Sequence, residues 1–372
     1  MTTSRRTTLK AIGASGTGIA LAGCSSDAPK ATPSDTQTQR DATQVEQTSG
    51  KPTTQRVAAD PTDIPDPIDR DEPAHHDVTL TAKEVRAEVE DGVVYDFMTF
   101  DGQVPGPMLR VRRGDTVSFT MENASGNAMP HNVDMHAIYG TGGGNVATSA
   151  VPGESNDMEF TAMYPGAYIY HCAVPNLDYH IASGMFGMIL VEPEAGLPEV
   201  DREFYFGQHE LYTDKAAGEK GHHKLDMDAM KAEDPTYVVL NGEKYAITPD
   251  GYGAVSAETG ETVRVFMVTG GPNLNSNFHP IGNVWTKAYR DGGLAGRAEQ
   301  YLQTVNVPPG SCMVGEMDLP VPEEIKLVDH ALSRVVRKGM MGVIAVDGEE
   351  KPEIFDPSPD IPASEDEEGP AY

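Results

Sequence analysis

Cysteine is scarce in this 372-residue chain, which holds only Cys24, Cys172 and Cys312. Three thiols so widely spaced make no disulfide framework, so no disulfide is expected and each needs its own explanation. Cationic side chains are scarce too. Lys and Arg number 28 against 57 Asp and Glu, a formal net charge of −29. That balance excludes the electrostatic footprint of a nucleic-acid binder and argues against docking on anionic membrane surfaces. The carboxylates are spread along the chain rather than gathered in a tail, the pattern of a protein kept hydrated in high salt. At molar salt a Debye length of about 3 Å leaves little long-range steering. Membrane-spanning runs are missing as well: Ala11 to Ala22 is too short and too rich in glycine to cross a bilayer stably. No long run with a 3.6-residue apolar period occurs, and no H-x-H pair occurs anywhere.

What is present falls into five stretches. Residues 1–23 carry Ser4-Arg5-Arg6-Thr7-Thr8-Leu9-Lys10, a mildly apolar run, and then Leu21-Ala22-Gly23 before Cys24. This order reads as a twin-arginine export signal with lipid attachment at Cys24. It implies an extracytoplasmic protein, exported folded and held at the outer face of the cell membrane only through that lipid. Residues 24–76 are polar and proline-containing and read as a flexible tether. Residues 77–195 and 196–350 are built of short apolar or alternating runs such as Thr116–Met121, Ala167–Tyr170 and Met188–Val191, parted by Gly, Pro, Asn and Asp. These are strand signals. Residues 351–372 form an acidic tail.

The body contains a diverged repeat. Phe100-Asp101-Gly102 matches Leu240-Asn241-Gly242, Arg113–Val117 matches Thr259–Val263, His131 matches His279, Pro152-Gly153 matches Pro309-Gly310, and Gly184–Ile189 matches Gly339–Ile344. Two copies of one Greek-key β-sandwich account for this order, giving an all-β chain of two tandem domains.

Two segments carry the chemistry. One is Pro130–His136; the other runs from Tyr170-His171-Cys172 through His180 to Met185. Cys172, His180 and Met185 read as C-x7-H-x4-M. With an upstream histidine they make the ligand set of a blue-copper centre: one thiolate, two imidazoles and a weak axial thioether. Successive strand residues point to opposite faces, so Cys172 can bind one metal while His171 reaches toward another. His131 and His136 are five apart, and on extended chain they also face opposite ways. Of eleven histidines, His75, His76, His222 and His223 read as solvated, and His209 as core or surface. Six remain: His131, His136, His171, His180, His279 and His330. Two serve the blue site and about three an open second site, which leaves one for proton transfer. His330 is the best-placed third imidazole. Asp134, set between two candidate ligands, points to a catalytic carboxylate. Cys312 reads as a buried thiol in a strand.

Together His131–His136, His171–Met185, His279-Pro280-Ile281-Gly282 and Val328-Asp329-His330 resemble the copper-containing nitrite reductases. The resemblance covers about residues 85 to 348 and extends to Phe100–Pro107. It implies two cupredoxin domains, with His131, Cys172, His180 and Met185 on type 1 copper and His136, His171 and His330 on type 2 copper. It implies that Asp134 and His279 relay protons and that Ile281 shapes the substrate pocket. It further implies a homotrimer in which a neighbouring subunit supplies the third type 2 histidine. The activity implied is nitrite plus one electron and two protons giving nitric oxide and water, with a small blue-copper protein or a c-type cytochrome as electron donor. The seven residues between Cys172 and His180 resemble the family's shorter-loop branch. Tyr179 and Met135 stand where many members have tryptophan and phenylalanine. Two other readings start from the same residues. A laccase-like two-domain multicopper oxidase needs a histidine-rich cluster built largely from H-x-H pairs, which this chain lacks. A non-catalytic cupredoxin electron carrier would leave His136, His171 and His330 without a task.

Overall fold

The alternating runs are strands, and their parity decides what each face buries. Thr116–Asn123 sends Val117, Phe119 and Met121 inward and leaves the residues between them half-exposed or exposed. The computed structural model describes residues 56–359. Two sheets form the first sandwich. One orders Gly221–His223, Val93–Phe100, His75–Glu90, Thr116–Asn123 and Ser155–Thr161; the other orders Leu109–Arg112, Phe186–Glu192, Gly166–His171 and Asp134–Met135. The second sandwich pairs a six-stranded sheet with a five-stranded one. The larger runs Tyr237–Leu240, Arg202–Leu211, Thr262–Gly271, Ser311–Asp318, Trp285–Tyr289 and Glu299–Leu302. The smaller runs Val255–Glu258, Met341–Asp347, Glu323–Asp329, Ser276–Ile281 and Val305–Val307. The chain is thus all-β, in two cupredoxin-like sandwiches.

Each sandwich has its own core, around Phe119, Met121, Cys172 and Met185 in the first and Phe206, Phe278 and Trp285 in the second. A third apolar cluster joins them. Phe186, Met188 and Leu190 from the first meet Phe266, Val268 and Val314 from the second. All seven residues of Phe186–Glu192 are therefore buried, Ile189 and Val191 in the first core and Met188 and Leu190 in the joining cluster. Gly207 and Gly270 leave the room Phe186 needs: a Cβ on either would come within 3.0 Å of its ring. Charge also crosses the join. Arg110 bonds Glu192 at 2.5 Å and Glu203 at 2.6 Å, and Arg264 bonds Glu203 and Glu316, each at 2.7 Å, with all five side chains almost fully buried.

Three expectations need correction. Residues 57–76 are not tether. Glu243 accepts the N–H groups of Val57 and Ala58, and a strand begins at His75. Asp115 accepts Arg70, His76 at 2.9 Å and the N–H of Ala74 at 2.8 Å. His76 is therefore an anchor rather than a solvated side chain. His223 is fully buried, between the Thr213 hydroxyl and the Glu219 carbonyl, because Gly221–His223 adds an edge strand beside Val93–Tyr95. The export signal and Cys24 lie outside the described residues.

Glu203→Gln leaves two buried guanidinium groups under-compensated and is expected to cost about 3–5 kcal/mol in denaturant unfolding. Burial alone would raise the Asp115 pKa, but Arg70, the Ala74 and Arg112 amides and His76 outweigh it and hold the carboxyl far below its usual range. With the folded value below the unfolded one of about 3.9, this stabilisation is complete above that pH and lost as the pH falls toward the folded value. Asp115→Asn should lower stability at neutral pH and flatten the acid limb of the unfolding curve.

Candidate metal centres

The strand Gly166–His171 positions both sites. It pairs on one side with Phe186–Glu192 and on the other with Asp134–Met135, in the register Asp134↔His171 and Met135↔Tyr170. The chain then passes through Cys172 into the helix Leu177–Ala182, which carries His180, and returns through Met185. The Cys172 N–H donates to the Met185 carbonyl at 3.1 Å, and the Met185 N–H donates to the His180 carbonyl at 3.0 Å.

Cys172, His131, His180 and Met185 are all fully buried. The Cys172 Sγ lies 3.8 Å from His131 Nδ1 and 3.5 Å from His180 Nδ1, and the two imidazole rings are 5.1 Å apart. Glu84 lies 3.2 Å from His131 Nε2, so Nε2–H can donate to it and leave the Nδ1 lone pair facing the sulfur. Asn132 braces the loop, its side-chain oxygen accepting the Ala173 N–H at 2.7 Å. Burial pushes the Cys172 thiol up to about 11, and burial, aided by His131, brings His180 down to about 4. One sulfur and two imidazole nitrogens thus converge in a sealed pocket, donors suited to a cation with affinity for sulfur and nitrogen. The donor set fits copper in type 1 coordination.

The second group lies on the opposite parity of the same strand end. His136 Nε2 is 3.2 Å from His171 Nε2, and Asp134 joins them within 4.8 Å. The His171 Nδ1–H can donate to the Cys172 carbonyl at 3.0 Å, which leaves Nε2 free to coordinate. Two imidazoles with free lone pairs and a nearby carboxylate at the surface fit an open metal position. His330 is not among them. It is exposed and packs with His279, ring centroids 5.1 Å apart, beside the exposed Ile281. Among the described residues these are the two donor groups: His131, Cys172 and His180, and Asp134, His136 and His171. The roles of Glu84 and Asn132 escaped the sequence reading, because only the fold brings Glu84 to His131 and Asn132 to Ala173.

A pair of linked donor groups on the first of two cupredoxin-like sandwiches points to a copper protein. A sequence-family profile described as multicopper oxidase matches residues 81–196. The chain is 46% identical over 293 residues to a copper-containing nitrite reductase of Neisseria meningitidis, covering 79% of this chain and 74% of that protein. A second, from Cereibacter sphaeroides, is 32% identical, with coverages of 74% and 78%. In structure it resembles the copper nitrite reductase of Nitrosomonas europaea, with TM-score 0.67, 34% identity, and coverage of 75% of this chain and 96% of that one. The chain belongs to the copper-containing nitrite reductases.

Cys172→Ser is expected to abolish the thiolate-to-copper absorption of the copper-loaded protein while leaving copper bound at His136 and His171. Absorption and paramagnetic resonance spectra would check both halves.

Proposed function

We propose that this chain reduces nitrite to nitric oxide and water, taking up one electron and two protons, as a homotrimer with its catalytic sites between subunits. One observation carries the reading. His136 and His171 share one surface site, whereas His330 lies outside it with His279, so a second copy bringing its own His330 to that site would complete a set of three imidazoles. Exposed apolar side chains flank both half-sites, Tyr139 and Val146 following His136, and Leu332 and Val336 following His330. Such exposure suits surfaces covered on assembly.

In this reading His131, Cys172, His180 and Met185 hold type 1 copper, and His136, His171 and the partner subunit's His330 hold type 2 copper. Copper so bound supplies a reversible one-electron relay at the thiolate site and a Lewis-acid position for nitrite at the open one. The Cys172–His171 peptide links the two donor sets covalently. Asp134 stands opposite His171 in the ladder and is placed to give a hydrogen bond or proton to a substrate oxygen. His279 can donate from Nδ1 to the Gln303 carbonyl at 2.5 Å, which leaves Nε2 to pass the second proton. Ile281, 41% exposed beside it, walls the pocket. A small blue-copper protein or a c-type cytochrome is the proposed donor. Export by the twin-arginine route and a lipid anchor at Cys24 complete the proposal, with high salt as the working environment.

The likeness to solved multicopper oxidases, at 24% identity or less, concerns the fold alone. The test is paramagnetic resonance of the copper-loaded protein with and without nitrite, alongside light scattering. Two cupric signals, only the thiolate-free one moved by nitrite, in a trimer support the reading. A single signal indifferent to nitrite makes the chain an electron carrier. Asp134→Asn should keep both coppers and lower turnover roughly 10²-fold or more; unchanged turnover removes Asp134 from the mechanism.

A further inference from the structure

The second sandwich repeats the blue-copper pocket in detail, with different side chains. Three observations set the correspondence. In the first sandwich Asp134 pairs with His171 and His171 with Phe186; in the second His279 pairs with Val328 and Val328 with Met341. Cys172, one residue after His171, therefore corresponds to Asp329, and Met185, one residue before Phe186, to Met340. Glu84 accepts the N–H groups of Ala128 and Met129 at 3.0 and 2.8 Å, while Glu210 accepts those of Asn273 and Leu274 at 3.1 and 2.6 Å. His131 then corresponds to Ser276, and Asn132 to Asn277. The Met185 N–H donates to the His180 carbonyl at 3.0 Å and the Met340 N–H to the Arg334 carbonyl at 3.1 Å, which equates His180 with Arg334. The sequence match of His131 with His279 is thus off by three residues; His279 is the counterpart of Asp134.

At the four ligand positions the second sandwich has Ser276, Asp329, Arg334 and Met340. A salt bridge stands where the first sandwich has its thiolate and imidazole: Arg334 Nη1 lies 2.6 Å from Asp329 Oδ2, with the carboxylate fully buried. The other carboxylate oxygen reaches around the next residue. Asp329 Oδ1 accepts the Asn277 N–H at 3.1 Å, the Asn277 side-chain amide at 3.0 Å and the Ala331 N–H at 3.0 Å. The His330 N–H donates to the Asn277 carbonyl at 2.8 Å. Arg334 also holds the Asn275 carbonyl at 2.7 Å. The backbone of His330 is thereby fixed on both sides while the residue itself remains exposed.

We propose that the Asp329–Arg334 ion pair, occupying the second sandwich's copy of the type 1 copper position, is the positioning device that presents His330 to the type 2 site of the neighbouring subunit. The pocket geometry is shared by the two sandwiches, with the Arg334 guanidinium as the second pocket's cation, and the pocket is turned from electron transfer to ligand placement. Groups that orient a metal ligand typically change affinity about 10- to 100-fold when removed.

The inference rests on His330 being the third type 2 ligand, so the experiment includes that variant. Full-length Asp329→Asn, Arg334→Gln, Arg334→Lys and His330→Ala are titrated with copper against a competing chelator. Thiolate absorption counts type 1 copper as internal reference, and melting temperature reports the fold. Asp329→Asn and Arg334→Gln should fill type 1 normally and bind type 2 copper about 10- to 100-fold more weakly, with Arg334→Lys recovering part of the loss. Wild-type type 2 affinity in both, with His330→Ala deficient, overturns the proposal. Undiminished type 2 copper in His330→Ala overturns the underlying ligand reading, and this inference with it. If Asp329→Asn does not fold, Arg334→Gln and Arg334→Lys decide by the same criteria.

Discussion

The site depends on one strand being buried on both faces. Gly166–His171 packs one side into the core of the first sandwich and the other against the second, with Tyr170 in the former and Ile169 in the latter cluster. Register cannot slip there without turning every side chain over. Cys172 therefore enters the core, and His171 emerges beside His136. Two donor groups of opposite character, one sealed and one open, arise from adjacent residues because a strand alternates.

Holding that strand requires the two sandwiches to act as one body. The apolar cluster around Phe186 and Phe266 does most of this, and the buried chain from Arg110 through Glu203 to Arg264 adds registration. Buried ion pairs are weak evidence for stability but strong constraints on geometry once made, since an unmatched partner is costly. The segment from Val57 to His76 is drawn in by the same logic, its backbone and side-chain donors meeting the buried carboxylates Glu243 and Asp115. Composition alone suggested a tether, because few of these residues are large and apolar; hydrogen bonding to distant carboxylates has no local signature.

The pseudo-symmetry shows how one pocket design serves two tasks. In one copy Glu84, Asn132 and the methionine loop frame the Cys172 sulfur; in the other Glu210, Asn277 and Met340 frame an ion pair. The candidate proton-handling groups, Asp134 and His279, are counterparts across this symmetry. Sequence spacing found the repeat but set His131 against His279, because loops of unequal length blur alignment where ladder register does not.

The fold class, the candidate copper-binding residues and the separation of two donor groups were legible in the chain because they rest on short-range rules. Alternation sets which face a residue takes, and C-x7-H-x4-M keeps three ligands within one loop. What only the tertiary structure decided involves residues far apart in sequence: Glu84 reaching His131, Gly221–His223 completing a sheet of the other sandwich, and Asp329 clamping Asn277 beside His330. It also decided that His330 lies apart from His136 and His171, since no spacing rule says which surface a distant loop will occupy. Those placements follow from which buried donor finds which acceptor, a condition satisfied across the whole molecule rather than along any one segment.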